Sequence, residues 1–266
     1  MSKQIAVVFL LTFIIHLIGT LAYALRIAGV RTGRIAVSFS LFNLLILISR
    51  TSNTFQGPLL AKHVEQNITR GTLEYAERDF RWLLLSATLA TIAGALLIPT
   101  FQRLFTKAIE EFNHYRSIPR LVAGGLSRLS LRGAREVASL PAVENMTRLS
   151  LKGAPTSIII YNLFASALIT VGVFASLYAG YLNPELRVTA NSLSPVVNGL
   201  STILLFVYID PYLSILTDDV ALGRAEQSYF RSCVVMFVLS RLGGTLLAQL
   251  IFLPAANIIV RVAKLL

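Results

Sequence analysis

Four side chains able to carry or exchange charge lie inside stretches that otherwise read as membrane spans: His16, Arg50, Asp210 and Arg241. Arg50 follows the uncharged run 35–49. A guanidinium keeps its proton under all ordinary conditions, and holding one at bilayer depth costs a few kcal/mol on insertion scales, so such a residue is kept where it meets water, an opposite charge or an anionic ligand. Snorkelling to the interface is the competing explanation for Arg50. The chemistry on offer, where neither water nor an acid meets it, is anion binding.

Asp210 is the one carboxylate within a span and precedes Pro211, where the helix is expected to open. A hairpin turning near residue 224 brings Asp210 and Arg241 to similar depth. Two readings stand. Either the two pair, or Arg241 is free for an anionic ligand and Asp210 serves as a proton or cation site. His16 is a second candidate for ion coupling, against the simpler role of a neutral histidine hydrogen-bonded between helices. His63 and His114 have no spacing that builds a metal site. No Walker A loop, nucleophile elbow or His-Glu-x-x-His motif is present, so neither catalysis nor a cofactor is expected.

The elements that position these groups follow from composition. The 266 residues are 55% hydrophobic and 14% charged, with a mean hydropathy of +0.69. This is the composition of an all-α polytopic membrane protein. Apolar stretches near 4–25, 35–60, 82–102, 157–182, 195–217 and 232–258 each reach the ~20 residues that cross a bilayer. The first is too long for a signal-peptide core and is followed by Arg26, Arg31 and Arg34, which predicts an uncleaved anchor. Loops 26–34, 103–156 and 218–231 carry fourteen Lys and Arg against eight in the alternate set, so the positive-inside bias predicts both termini outside. Cys233 is alone, which excludes an intrachain disulfide. With a pI near 10.2 in so apolar a chain, anionic phospholipid rather than nucleic acid is the expected partner of the charge.

The second span carries a polar stripe. At roughly 100° per residue, Ser40, Asn43, Arg50 and Thr54 fall within about 80° of one another, with Asn53 at the edge and Gln56 beyond. Polar groups facing lipid would go unsatisfied, so this face is read as a cavity wall, with interhelical hydrogen bonding as the alternative. Gly57-Pro58 is expected to bend or end the helix.

A weak internal repeat divides the single membrane domain into a first three-span unit (1–103), a basic cytoplasmic connector (104–156) and a second three-span unit (157–266). Shifts of 155 to 150 residues place Tyr23 on Tyr178, Asn43 on Asn198, Pro58 on Pro211 and Gly94 on Gly244. Units with an odd number of spans have opposite topology, and such inverted repeats are common in secondary transporters. Within the connector, 121–140 patterns as an amphipathic basic helix suited to an anionic surface, and the motif at 128–134 recurs at 148–154. Gly172, Ser176 and Gly180 are spaced for close helix approach, within the molecule or across a homodimer.

The segments Arg26-Ile-Ala-Gly-Val-Arg-Thr-Gly-Arg34, Ser40-Leu-Phe-Asn43 and Ser49-Arg-Thr-Ser-Asn53 resemble the Amj family of bacterial lipid II flippases, an alternative to the MurJ flippases. The resemblance extends over the whole chain in length and span number. It implies a cell-membrane protein that moves lipid II, the undecaprenyl-diphosphate-linked disaccharide-pentapeptide, to the outer leaflet for peptidoglycan synthesis. On that footing the expected substrate-binding residues are Arg26, Arg31, Arg34, Ser40, Asn43, Arg50, Asn53 and Arg241, with Asp210 and His16 as ion-coupling candidates. Ion-coupled transport of a small anionic or drug-like solute, and a membrane scaffold that transports nothing, are the alternatives.

Overall fold

The computed structural model describes residues 3–71, 76–115, 139 and 155–266, and the amphipathic segment and the seven-residue repeat of the connector lie outside them apart from Ser139. The described residues are helical almost throughout. In chain order they form α1 (Lys3–Thr32), α2 (Ile35–Arg70), α3 (Ala76–Tyr115), α4 (Thr156–Leu182), α5 (Arg187–Ser192), α6 (Ser194–Ile203), a π-helical turn (Leu204–Ile209), α7 (Asp210–Ala221) and α8 (Gln227–Leu265). Six elements are long and apolar enough to cross a membrane, the fifth being the broken run Pro184–Ala221. The expected span number therefore holds.

The helices outrun the expected spans. α1 continues past residue 25 to Thr32, and α2 passes through Pro58 to Arg70 instead of ending there. Long helices cost nothing extra where they leave the bilayer, because each backbone group is satisfied within its own helix. α1 and α2 are joined by Gly33 and Arg34 alone. Gly33 takes φ 66°, a left-handed conformation that glycine reaches without a Cβ penalty, so the two helices are forced into antiparallel contact.

Apolar side chains gain little by leaving lipid for one another, so membrane helices are held by close packing and interhelical hydrogen bonds. Both are present. Ser38 Oγ donates to Leu25 O at 2.6 Å, tying α2 to α1, and Ser86 Oγ donates to Phe9 O at 2.8 Å, tying α3 to α1. Ser201 Oγ donates to Ala165 O at 2.7 Å, and Asn162 Nδ2 to Phe237 O at 2.9 Å, fixing α6 and α8 on α4. The packing order is the same in the two halves: α1 packs on α2 and α3, as α4 packs on the fifth span and α8. At the end away from the connector, Phe80 of α3 is fully buried among Phe174, Tyr178, Tyr181 and Phe252, with ring centroids 5.7–6.2 Å apart.

α2 and the fifth span are the two least embedded elements. Only 17% of the apolar stretch of each is buried in the protein, against 28–50% for the other four. They flank the cavity described next.

Candidate functional site

A cavity of about 550 Å³ lies between α1, α2, α4 and the fifth span, and Arg241 of α8 reaches into it. α2 packs closely on α1 yet makes at most glancing contact with the fifth span. Leu47 and Arg50 on one wall and Phe206 on the other are exposed. The cavity therefore reaches the lipid-facing surface between these two elements.

The α2 wall is built by residues at helical spacing: Asn43, Ile46, Arg50, Asn53 and Gln56. This face is turned from the one the polar stripe predicts. Gln56 belongs to it, donating through Nε2 to Thr12 Oγ1 of α1 at 2.9 Å. Ser40 and Thr54 do not line the cavity. Their hydroxyls donate to the carbonyls of Ala36 (3.1 Å) and Arg50 (3.0 Å) one turn back. A hydroxyl that satisfies itself on its own helix can face lipid, so it does not report the polar side. Arg50 makes no ion pair among the described residues.

Asp210 does not pair with Arg241. Its partner is Arg26, whose Nη2 donates to Asp210 Oδ1 at 2.8 Å while Nη1 donates to Ser214 Oγ at 3.4 Å. The Arg26 side chain is 6% exposed and that of Asp210 33%. Phe39 and Phe42 of α2 hold their rings 5.4 and 5.6 Å from the same guanidinium, a favourable cation–π distance. The sequence expectation compared depths within one hairpin and left Arg26 in a loop. Because α1 continues to Thr32, Arg26 lies inside a helix and at the level of Asp210. One contact thus joins α1, α2 and α7 at the connector end of the cavity. The helix does open before Asp210, as the π-helical turn Leu204–Ile209.

Arg241 is left without an acidic partner among the described residues, and its Nε is buried with no hydrogen bond. The guanidinium lies against the backbone of Gly19: an added Cβ there would stand 2.9 Å from Cζ. Glycine at 19 is what makes room for the arginine. His16 is beside it, 5% exposed, with Nδ1 also unpartnered. Asn198 of α6 has its Oδ1 buried without a partner and lines the same cavity. Three of the four buried unpartnered polar side-chain atoms among the described residues thus belong to cavity-lining residues. Native structures leave few such atoms, so these three mark the most polar part of the cavity wall.

Of the expected site residues, the structure brings Arg26, Asn43, Arg50, Asn53, Arg241, Asp210 and His16 to the cavity. Ser40, Arg31 and Arg34 stay outside it. Arg34 Nη1 donates to Ile109 O of α3 at 3.4 Å. Arg31 is exposed, close enough to Arg103 and Arg231 to feel their charge. Sequence reasoning missed Gly19, Tyr23, Thr202, Gln56 and Asn198 as cavity residues; a shift of 155 residues, which places Asn43 on Asn198, was the one signal for the last. The small residues of α4 serve the fold itself. Gly172 receives Asn198 and Val197 of α6, and Gly180 receives Arg187 of α5, which assigns this stripe to packing within the chain. No cluster of metal-ligating side chains occurs among the described residues.

The family model described as Amj, "Alternate to MurJ", matches residues 11–263. The chain is 36% identical over 264 residues to the lipid II flippase Amj of Bacillus subtilis (strain 168), spanning 99% of this chain and 98% of that protein. No solved structure matches it.

Proposed function

The chain belongs to the Amj family, and from that premise we propose that it is a lipid II flippase, carrying undecaprenyl-diphosphate-linked disaccharide-pentapeptide from the cytoplasmic to the outer leaflet through the cavity between α2 and the fifth span. The observation that carries this reading is the pairing of two features. The cavity presents Arg50 and Arg241 without acidic partners among the described residues, and it opens sideways toward lipid. A flippase lowers the cost of moving an anionic, heavily hydrated head through hydrocarbon while the polyprenyl tail stays in the bilayer. Uncompensated guanidiniums supply the first requirement, and the gap between α2 and the fifth span supplies the second.

The connector end faces the cytoplasm in this reading, because the positive-inside bias puts 103–156 there. Both termini then lie outside the cell membrane. Arg31, Arg34, Arg103 and Arg231 stand at that end, outside the cavity, and attract the diphosphate and anionic phospholipid on the side where substrate is made. Arg26 holds the entrance shut through Asp210. Alternating access by movement of one three-span unit against the other is supported by their common packing order. Asp210 and His16 remain the ion-coupling candidates. The chain acts as a transporter, not a catalyst: the cavity offers one carboxylate and one histidine, with no paired acid and base. A second reading, transport of a small anionic solute, draws on the modest cavity volume; the sideways opening weighs against it.

The test is exposure of lipid II on the outer leaflet of cells in which this chain is the one flippase. The unaltered chain should sustain exposure, and Arg50→Ala should abolish it while still inserting in the membrane. Exposure at the unaltered level in Arg50→Ala would remove Arg50 from the site. No exposure with the unaltered chain would overturn the flippase reading as a whole.

A further inference from the structure

We propose that the cavity recognises the diphosphate and first sugar of its cargo and does not read the peptide. This rests on the flippase reading and widens its substrate class from lipid II to polyprenyl-diphosphate sugars in general.

Size is the first argument. Pockets of about 300–1,000 Å³ enclose molecules of drug size, and this one measures about 550 Å³. A diphosphate with one hexose is of that size. A diphosphate bearing two sugars and five amino acids is far larger, so most of such a head stays outside the cavity.

Charge is the second. The peptide of lipid II adds an amine and carboxylates to the head. An ammonium group needs an acid, and Asp210 is the one carboxylate lining the cavity among the described residues. It is engaged by Arg26 at 2.8 Å. The cations that remain, Arg50 and Arg241, repel an ammonium; they suit a carboxylate as well as a diphosphate, but the diphosphate places two charged groups side by side for two guanidiniums.

The third argument is the kind of neutral polar group present. Asn43 and Asn53 line the α2 wall and Asn198 the α6 wall. Amides donate and accept hydrogen bonds without charge, which fits the hydroxyl and N-acetyl groups of a sugar. Asn43 and Asn198, related by the internal repeat, face the cavity from opposite halves.

The experiment measures binding of four lipids to the full chain in nanodiscs: undecaprenyl phosphate, undecaprenyl diphosphate, undecaprenyl-diphosphate N-acetylhexosamine and lipid II. The N-acetylhexosamine conjugate is expected to bind within about threefold of lipid II, and undecaprenyl phosphate at least about tenfold more weakly. Arg241→Gln should weaken every diphosphate alike. Asn198→Leu should erase the preference for the sugar conjugate over bare diphosphate. Lipid II binding about tenfold or more tightly than the sugar conjugate would overturn the proposal while leaving the flippase reading intact. Equal binding of the monophosphate and all diphosphates would overturn both, since the cavity would then not be a diphosphate site.

Discussion

Arg26 of α1 and Asp210 of α7 meet at 2.8 Å where the fifth span resumes α-helical form after its π-helical turn. The two partners are unequally placed. Arg26 is 6% exposed and Asp210 33%. Removing the carboxylate strands a buried cation, whereas removing the guanidinium leaves an acid that water in the cavity can reach. Breaking a fully buried pair costs about 3–5 kcal/mol; the exposure of Asp210 and the aromatic rings beside Arg26 reduce this, and we expect a loss of about 2 kcal/mol for Asp210→Ala. Arg26→Gln should cost less. The double variant Arg26→Gln/Asp210→Ala should recover most of the loss, because no charge is then left stranded. Thermal unfolding of the detergent-solubilised protein measures all three, and strictly additive losses would show that the pair does not act as a unit.

Gly19 gives a separate handle on Arg241. Alanine there would push its Cβ into the guanidinium, so Gly19→Ala should displace Arg241 and reproduce the transport defect of Arg241→Gln with little loss of protein in the membrane. Arg241→Lys should not restore transport, since a lysine cannot present the planar fork that holds a phosphate bidentately. The outer-leaflet exposure assay reads these outcomes. Full transport by Gly19→Ala would mean that Arg241 works from another position.

The sideways opening is testable by closing it. Leu47 on α2 and Phe206 on the π-helical turn both line the cavity and are 60% and 57% exposed. Cysteines at these positions, in a background with Cys233→Ser, should be joined by a flexible bis-maleimide and stop transport. A reducible cross-linker should stop it reversibly. If transport continues with the bridge formed, the lipid tail takes a different path.

How much of this was legible beforehand depended on whether the signal was local. Six spans followed from hydropathy, and Arg50 and Asn43 stood out because a polar residue in an apolar run is conspicuous within its own sequence. The Arg26–Asp210 contact was not legible, since it depends on where α1 ends. Hydropathy falls at the first arginine, while the hydrogen-bonded helix runs six residues further. The rotation of α2 was also hidden. Ser40 and Thr54 read as polar, yet each hydroxyl is satisfied on its own helix, and only the tertiary contact of Gln56 with Thr12 fixes which face turns inward. Gly19 carried no signal at all, because glycine is ordinary in a membrane helix and its partner is on the last one.

Gly94 and Gly244, which a shift of 150 residues superposes, carry an asymmetric prediction. Gly94 of α3 faces α1, where an added Cβ would stand 2.7 Å from Thr20 Cβ. Gly244 of α8 faces α4, where an added Cβ would stand 2.5 Å from Leu163 O, 2.6 Å from Ser166 Cβ and 3.0 Å from Ala167 N. Both sit at helix crossings, α3 on α1 and α8 on α4. Their tolerance differs because the obstacles differ. The obstacle at Gly94 is one side chain, which glycine at 20 would remove; a carbonyl and an amide of a neighbouring helix move only with that helix. Gly244→Ala should therefore lower thermal stability by about 1–3 kcal/mol, the usual cost of overpacking, and Gly94→Ala by less. Thr20→Gly should rescue Gly94→Ala, whereas Ser166→Gly should rescue Gly244→Ala incompletely. Equal losses at the two glycines, or full rescue at both, would show that the two crossings are not built as the structure has them.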